Sequence, residues 1–172
     1  MKIYTRTGDT GMTSVISGRV SKDSAQINAI GKIDTLNTQL GYLIDLINVI
    51  IDTSFLEHTQ ELLFSLGAQL SDPKGQLKIR CVSEEDVIAI EQEIDRLTAK
   101  LPPLKNFILP RGHPIVSWTH VVRTTCREAE RDCVSMQHVL PFLNRLSDYF
   151  FTLARYLSQV LNCEEVIWKG GM

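Results

Sequence analysis

Two arginines one helical turn apart, Arg123 and Arg127, followed by Glu130 and Arg131, are the residues of this sequence best equipped to grip an anion. A guanidinium is a fixed fork of donors that matches phosphate or carboxylate oxygens, and a nearby carboxylate such as Glu130 aligns one fork without neutralising the ligand. At about 100° per residue, His120, Arg127 and Glu130 fall within an arc of about 80° around Arg123, with Arg131 at its edge. The opposite side carries Trp118, Val122, Cys126, Ala129 and Cys133. Spacing alone leaves two readings of this amphipathic helix, a solvated charged face and an anion-binding ridge.

Further polar groups lie where they need a reason. Asn144 and Asp148 share a helical face to which Arg155 returns about three turns on, so all three are candidates to meet the same ligand. Asp34 sits between the apolar positions Ile33 and Leu36, and either points to water or pairs with an arginine such as Arg123. Near the start, Thr5 to Ser14 reads TRTGDTGMTS. Its glycines let backbone approach a ligand, and its hydroxyls and amides can donate to anionic oxygens. The segment lacks the Walker spacing of glycines and lysine, so by motif alone a phosphate loop and an unattached tail both remain open.

The elements that must position these groups are helices. Ile27, Ile30, Ile33, Leu36, Leu40, Leu43, Ile44 and Ile47 recur at threes and fours, which predicts a long first helix. Leu56, Leu63, Leu66 and Leu70 predict a second. Asp72, Pro73 and Gly75 break the pattern, and Ser83 with Asp86 three residues on resembles a capping box for a third helix through Val87, Ile90, Ile94 and Leu97. Pro102 and Pro103 end it, and Phe107 to Pro114 is a connector in which Phe107 is free to line a pocket. Ile115 to about Met136 reads as a fourth helix and about Pro141 to Leu161 as a fifth. The expected architecture is all-α, a single-domain five-helix up-and-down bundle. Residues 1–24, with neither helical nor strand period, form a loop, residues 25–162 the bundle and residues 163–172 a C-terminal tail.

Composition narrows the classes further. A chain of 172 residues with 44% hydrophobic content builds one sizeable core, and a formal charge of −2 gives no global attraction to nucleic acid or anionic lipid. The four cysteines form no Cys-x-x-Cys pair and read as small core residues in a reducing compartment. His58, His113, His120 and His138 make no zinc motif, so no protein-held metal is expected. The oily stretch from Leu43 to Ile51 is interrupted by Asp45 and Asn48, and the N-terminus has no apolar signal core, which makes the cytoplasm the expected compartment.

Taken together, several strings resemble the PduO-type ATP:cob(I)alamin (corrinoid) adenosyltransferase family over nearly the entire chain. They are TRTGDTGMTS, GRVSKD at 18–23, GKIDTLN at 31–37, FILP at 107–110, RTTCREAER at 123–131 and FLNRLSDYFFTLAR at 142–155. The resemblance implies a cobalamin adenosyltransferase-like homotrimer with ATP between subunits and the N-terminal loop ordering over the nucleotide. It implies that Thr5, Arg6, Thr7, Gly8, Thr13 and Ser14 cradle the triphosphate, with Lys22 as a mobile counter-charge. Arg127, Glu130, Arg131 and Asn144 match the remaining ATP-contacting positions.

In the same family pattern Asp34 and Arg123 match an inter-subunit pair that shapes the active site, and with Arg127 they are the implied catalytic set. Phe107 matches an aromatic on the cobalamin side that helps expel the lower axial ligand. The implied reaction is in-line attack of cob(I)alamin on the ribose C5′ of ATP, giving adenosylcobalamin and inorganic triphosphate, with Mg²⁺ held mainly through the ATP phosphates. A reductase and an adenosylcobalamin-dependent enzyme are the implied transient partners. A non-catalytic nucleotide- or corrinoid-binding carrier of the same fold is the alternative. The sequence departs from the family pattern at Thr10, where lysine is frequent, at Arg111 and His113, where small residues are common, and at Glu128, which replaces a common arginine.

Overall fold

The computed structural model describes residues 2–170; Met1 and the tail residues Gly171 and Met172 lie outside the described residues. Five helices make up most of the chain: α1 (Ala25–Ile47), α2 (Ser54–Ser71), α3 (Glu84–Thr98), α4 (Pro114–Asp132) and α5 (Leu140–Val160). Each start has a local cause. The Ser24 side chain accepts from Ile27 N at the head of α1. Asp86 accepts from Ser83 N at 2.9 Å in a capping box that opens α3. His113 is extended and accepts through Nδ1 from Ile115 N at 3.2 Å, while Pro114 occupies the first turn of α4, where its missing N–H costs nothing.

The lateral order of the helices is α2, α1, α4, α5, α3. Lys32 meets Glu128 and the Trp118 indole donates to Gln39 O, so α1 and α4 run antiparallel. Glu91 meets Arg145 and Pro102 meets Arg155, so α3 and α5 run parallel with α4 between them in sequence. An up-down-up-down-up bundle results. Phe142 and Phe150 of α5, Ile33, Leu36 and Leu40 of α1, and Leu63 and Leu66 of α2 are fully buried in one core. Phe55 of α2 meets the Tyr149 ring of α5 edge-on, with centroids 5.0 Å apart.

Four local features differ from the sequence expectation. The polar segment before α1 contains an antiparallel hairpin, β1 (Met12–Val15) and β2 (Gly18–Ser21), in the register Met12 to Ser21 and Val15 to Gly18. Each strand is only four residues long, β1 mostly half-buried and β2 mostly exposed, and neither shows the alternation that marks a half-buried strand. Helix α4 stops at Asp132 rather than near Met136, and a single 3-10 turn, Gln137–Val139, leads into α5. The tail pairs with the connector: Ile108 bridges Ile167, and Leu109 N donates to Val166 O at 2.7 Å. Cys126 and Cys133 are core residues, but Cys81 is exposed in the loop before α3.

Candidate functional site

The hairpin is fastened to the end of α2. Ile16 N, in its turn, donates to Ser71 O at 3.1 Å, and the Gln26 amide donates to Leu70 O at 2.7 Å. This places Thr13, Ser14 and Lys22 at the rim of a cleft of about 650 Å³ between α1 and α2, with Asp34 and Asn37 on its α1 wall. The floor is apolar, from Ile27, Ile30 and Leu63, and Phe64 is 75% exposed beside it. Asn37 Oδ1 is buried there without a hydrogen-bond partner among the described residues.

Upstream, the chain is held close to this rim. Arg19 Nη2 donates to Thr7 O at 2.6 Å, and the Thr5 and Thr7 hydroxyls are 2.9 Å apart. Gly8 lies under the Lys22 side chain, where a Cβ would come within 3.1 Å of Nζ. Arg6 has φ 60°, a left-handed conformation uncommon for a non-glycine residue. Thr5, Arg6 and Thr7 are exposed and do not line the cleft themselves.

A second cleft, of about 450 Å³, opens where α4 meets the start of α5 and is lined by Glu130, Asn144 and Arg145 among others. Asn144 Nδ2 donates to Glu130 Oε1 at 3.0 Å. Arg127 and Arg131 are exposed on the same α4 ridge and form no ion pair among the described residues. The two clefts share no lining residue.

Two candidate residues behave differently from their simple helical placement. His120 falls on the charged arc but is 4% exposed; its Nδ1 accepts from Arg123 Nε at 3.2 Å and its ring lies 6.2 Å from Phe151. Burial, reinforced by the Arg123 charge, pushes its pKa down to about 4, so the imidazole is neutral. Burial and the Arg127 charge lower the Arg123 pKa as well. Arg155 does not join Asn144: it is 7% exposed and donates to Glu165 and to Pro102 O, which ties the tail and the connector to α5. Asn144 and Arg155 share an angle on α5 but stand about three turns apart along it, and each is taken up by different neighbours.

Asp34 is exposed and makes no hydrogen bond or ion pair among the described residues, so it does not pair with Arg123 of its own chain. Its neighbour Lys32 reaches toward α4 and pairs with Glu128 at 2.6 Å. Two residues further along a helix is a turn of about 200°, so Asp34 points away from α4. Glu128, the departure beside Arg127, thereby acquires a local partner, and the hydrogen bond from Lys32 lowers its pKa. Phe107 is 78% exposed in the connector, and the Trp168 ring stands edge-on to it with centroids 6.1 Å apart. Sequence reasoning missed Arg19, Arg145 and Trp168; the first two stood in the quoted strings GRVSKD and FLNRLSDYFFTLAR, and nothing in the spacing of the tail signalled the third.

A helical bundle with an N-terminal hairpin, a cleft rimmed by Thr13, Ser14 and Lys22 and an exposed arginine ridge carries the donors an anion needs, and comparison with known proteins makes this specific. Residues 3–157 match the family model described as cobalamin adenosyltransferase. A corrinoid adenosyltransferase of Bacillus subtilis is 40% identical over 171 residues, covering 92% of this chain and 87% of that protein. One from Homo sapiens is 38% identical, covering 97% of this chain and 73% of that protein. A structure of a variant PduO-type ATP:corrinoid adenosyltransferase from Lactobacillus reuteri, complexed with cobalamin and ATP, superposes with a TM-score of 0.91 at 36% identity, covering 98% of this chain and 100% of that one. Another variant of that enzyme, complexed with ATP, gives 0.89 at 35%, covering 97% of this chain and 100% of that one. The chain belongs to the cobalamin adenosyltransferase family.

Proposed function

We propose that this protein transfers the 5′-deoxyadenosyl group of ATP to the Co(I) of reduced cobalamin, releasing inorganic triphosphate. The observation that carries the reading is the separation of two surfaces with donors for an anion: Thr13, Ser14 and Lys22 at one cleft, and the exposed Arg127 and Arg131 on the ridge that leads to the cleft of Glu130 and Asn144. A nucleotide held by both sets needs two copies of the chain, with the hairpin of one against the arginine ridge of the next. Asp34, which turns away from its own α4, then meets Arg123 of a neighbouring copy, and a closed ring of three protomers satisfies every such contact.

In this arrangement Thr5, Arg6, Thr7 and Gly8 complete the cradle begun by Thr13 and Ser14, and Lys22 follows the triphosphate as it leaves. Arg127 and Arg131 offer charged forks to the phosphates, while Glu130 and Asn144 set the ridge geometry. The nucleophile is the reduced cobalt of the substrate, so the protein contributes alignment of cobalt with C5′ and stabilisation of the charge that builds on the departing triphosphate. Phe107 packs against the corrinoid and keeps water from its cobalt. Mg²⁺ accompanies ATP in this reading, held mainly through the phosphates whose charge it offsets.

No described helix is long and apolar enough to cross a membrane, and we assign the protein to the cytoplasm, where a reductase supplies cob(I)alamin and an adenosylcobalamin-dependent enzyme receives the product. The test is anaerobic incubation with ATP, Mg²⁺ and chemically reduced cobalamin. Formation of adenosylcobalamin, read from its spectrum, supports the reading; an unchanged spectrum from protein that binds both substrates makes it a carrier instead. Sedimentation gives the protomer number.

A further inference from the structure

The carboxamide of Asn144 stands between groups of opposite charge. Its Nδ2 donates to Glu130 Oε1 at 3.0 Å, and its Oδ1 accepts from Arg145 Nη1 at 2.7 Å. A guanidinium has only donors and an ionised carboxylate only acceptors, so neither contact survives if the amide turns over. The common ambiguity between amide oxygen and nitrogen is removed by chemistry at both ends. Arg145 is fixed in turn, because its Nε donates to Glu91 Oε1 at 2.7 Å. The series Glu91, Arg145, Asn144, Glu130 thus runs from α3 through α5 to α4 and ends in the cleft beside the arginine ridge.

As a source of stability this series is slight. The Arg145 and Glu91 side chains are 41% and 47% exposed, and exposed ion pairs contribute little. Its effect is on direction. With one Nδ2 hydrogen given to Glu130 and one Oδ1 lone pair taken by Arg145, the only donor the amide still has to offer a ligand is the second Nδ2 hydrogen. That fixed N–H is a ready partner for an anionic or carbonyl oxygen.

We propose that Arg145 is a positioning residue, which locks the Asn144 amide so that its free Nδ2–H points at an oxygen of the bound triphosphate. This rests on the reading that ATP occupies the ridge, and it gives α3, through Glu91, a part in nucleotide binding.

The test is ATP titration of the full chain as wild type, Asn144→Ala, Arg145→Met and the double variant. Each single change is expected to weaken ATP binding roughly tenfold, and the double variant to bind no more weakly than Asn144→Ala alone, since residues acting as one unit are not additive. Thermal midpoints without ATP should stay within about 2 °C of wild type. Arg145→Lys, which keeps the cation and a donor, should recover part of the loss, and it replaces Arg145→Met in the cycle if that variant does not fold. Additive losses in the double variant overturn the proposal, because they mean that Arg145 acts on the ligand or the fold independently of Asn144. A wild-type chain that does not bind ATP refutes the nucleotide reading itself, whereas ATP binding with an additive cycle refutes only the role of Arg145.

Discussion

Arg123 donates from Nε to Nδ1 of His120 at 3.2 Å, one turn back on α4 and 4% exposed. Burial is the main reason the imidazole is neutral, and the contact reinforces it, because a lone pair that receives a cationic donor has no room for a proton and the ring's own proton then sits on Nε2. The pair couples a ridge residue to the core.

The first prediction concerns pH. The His120 pKa is held down to about 4, below the ordinary 6.5, so between those values the unfolded chain binds a proton that the folded chain does not. Stability therefore rises with pH across that window and this contribution is complete above about pH 6.5. The lost stability at acid pH is on the order of 3 kcal/mol at most. Denaturant midpoints measured from pH 4 to pH 7 should show a steeper slope for wild type than for His120→Gln, and parallel curves would mean that this histidine titrates normally.

Arg127 tests the ridge. Among the described residues its exposed side chain has no ion pair to lose, so Arg127→Ala should leave the thermal midpoint almost unchanged. If it stabilises charge on the leaving triphosphate, turnover should fall by about 10²- to 10³-fold, the usual effect of removing one well-placed donor. Steady-state kinetics on the folded variant decide this, and a fully active Arg127→Ala protein would remove the residue from the site.

All five helices were legible because each buries a stripe at threes and fours; Ile33, Leu36 and Leu40 on α1, for example, are all fully buried. The capping box at Ser83 was legible for the same kind of reason, since it depends on two residues three apart. The hairpin was not, because its strands gain order from a backbone bond to Ser71 and from the arm of Arg19 rather than from a buried face. Nor was the fate of Arg155, whose partners Pro102 and Glu165 lie on segments with no period of their own. On α4, helical angle puts Arg127 and Glu130 on one ridge but could not tell that His120 turns inward, since that depends on where Phe151 of another helix stands.

Arg155 supplies a stability prediction. It is 7% exposed and donates to Glu165 Oε1 at 2.6 Å, so Glu165→Ala leaves a largely buried guanidinium with only the Pro102 carbonyl. Removing one partner of a buried pair costs about 3 to 5 kcal/mol, and the partial exposure of Glu165 puts this case at the low end. Urea unfolding should show a midpoint lowered accordingly, with Arg155→Met/Glu165→Met losing less than Glu165→Ala alone. Equal losses would show that the pair does not act as a unit.

The tail offers a last prediction, directed at the corrinoid. Phe107 is 78% exposed, its carbonyl accepts from Trp168 N at 2.8 Å, and the indole stands edge-on to its ring at 6.1 Å. An aromatic so exposed is held in place by few contacts, and this edge contact contributes about 0.5 to 1.5 kcal/mol beyond the area it covers. Trp168→Ala should therefore loosen Phe107 without touching either anion-directed cleft, neither of which Trp168 lines. The KM for cob(I)alamin is expected to rise roughly 2- to 10-fold while the KM for ATP stays put, and Trp168→Phe should fall between the two proteins. A rise in both constants would point to general loosening of the connector, and no rise in either would mean that Phe107 holds its position without the indole.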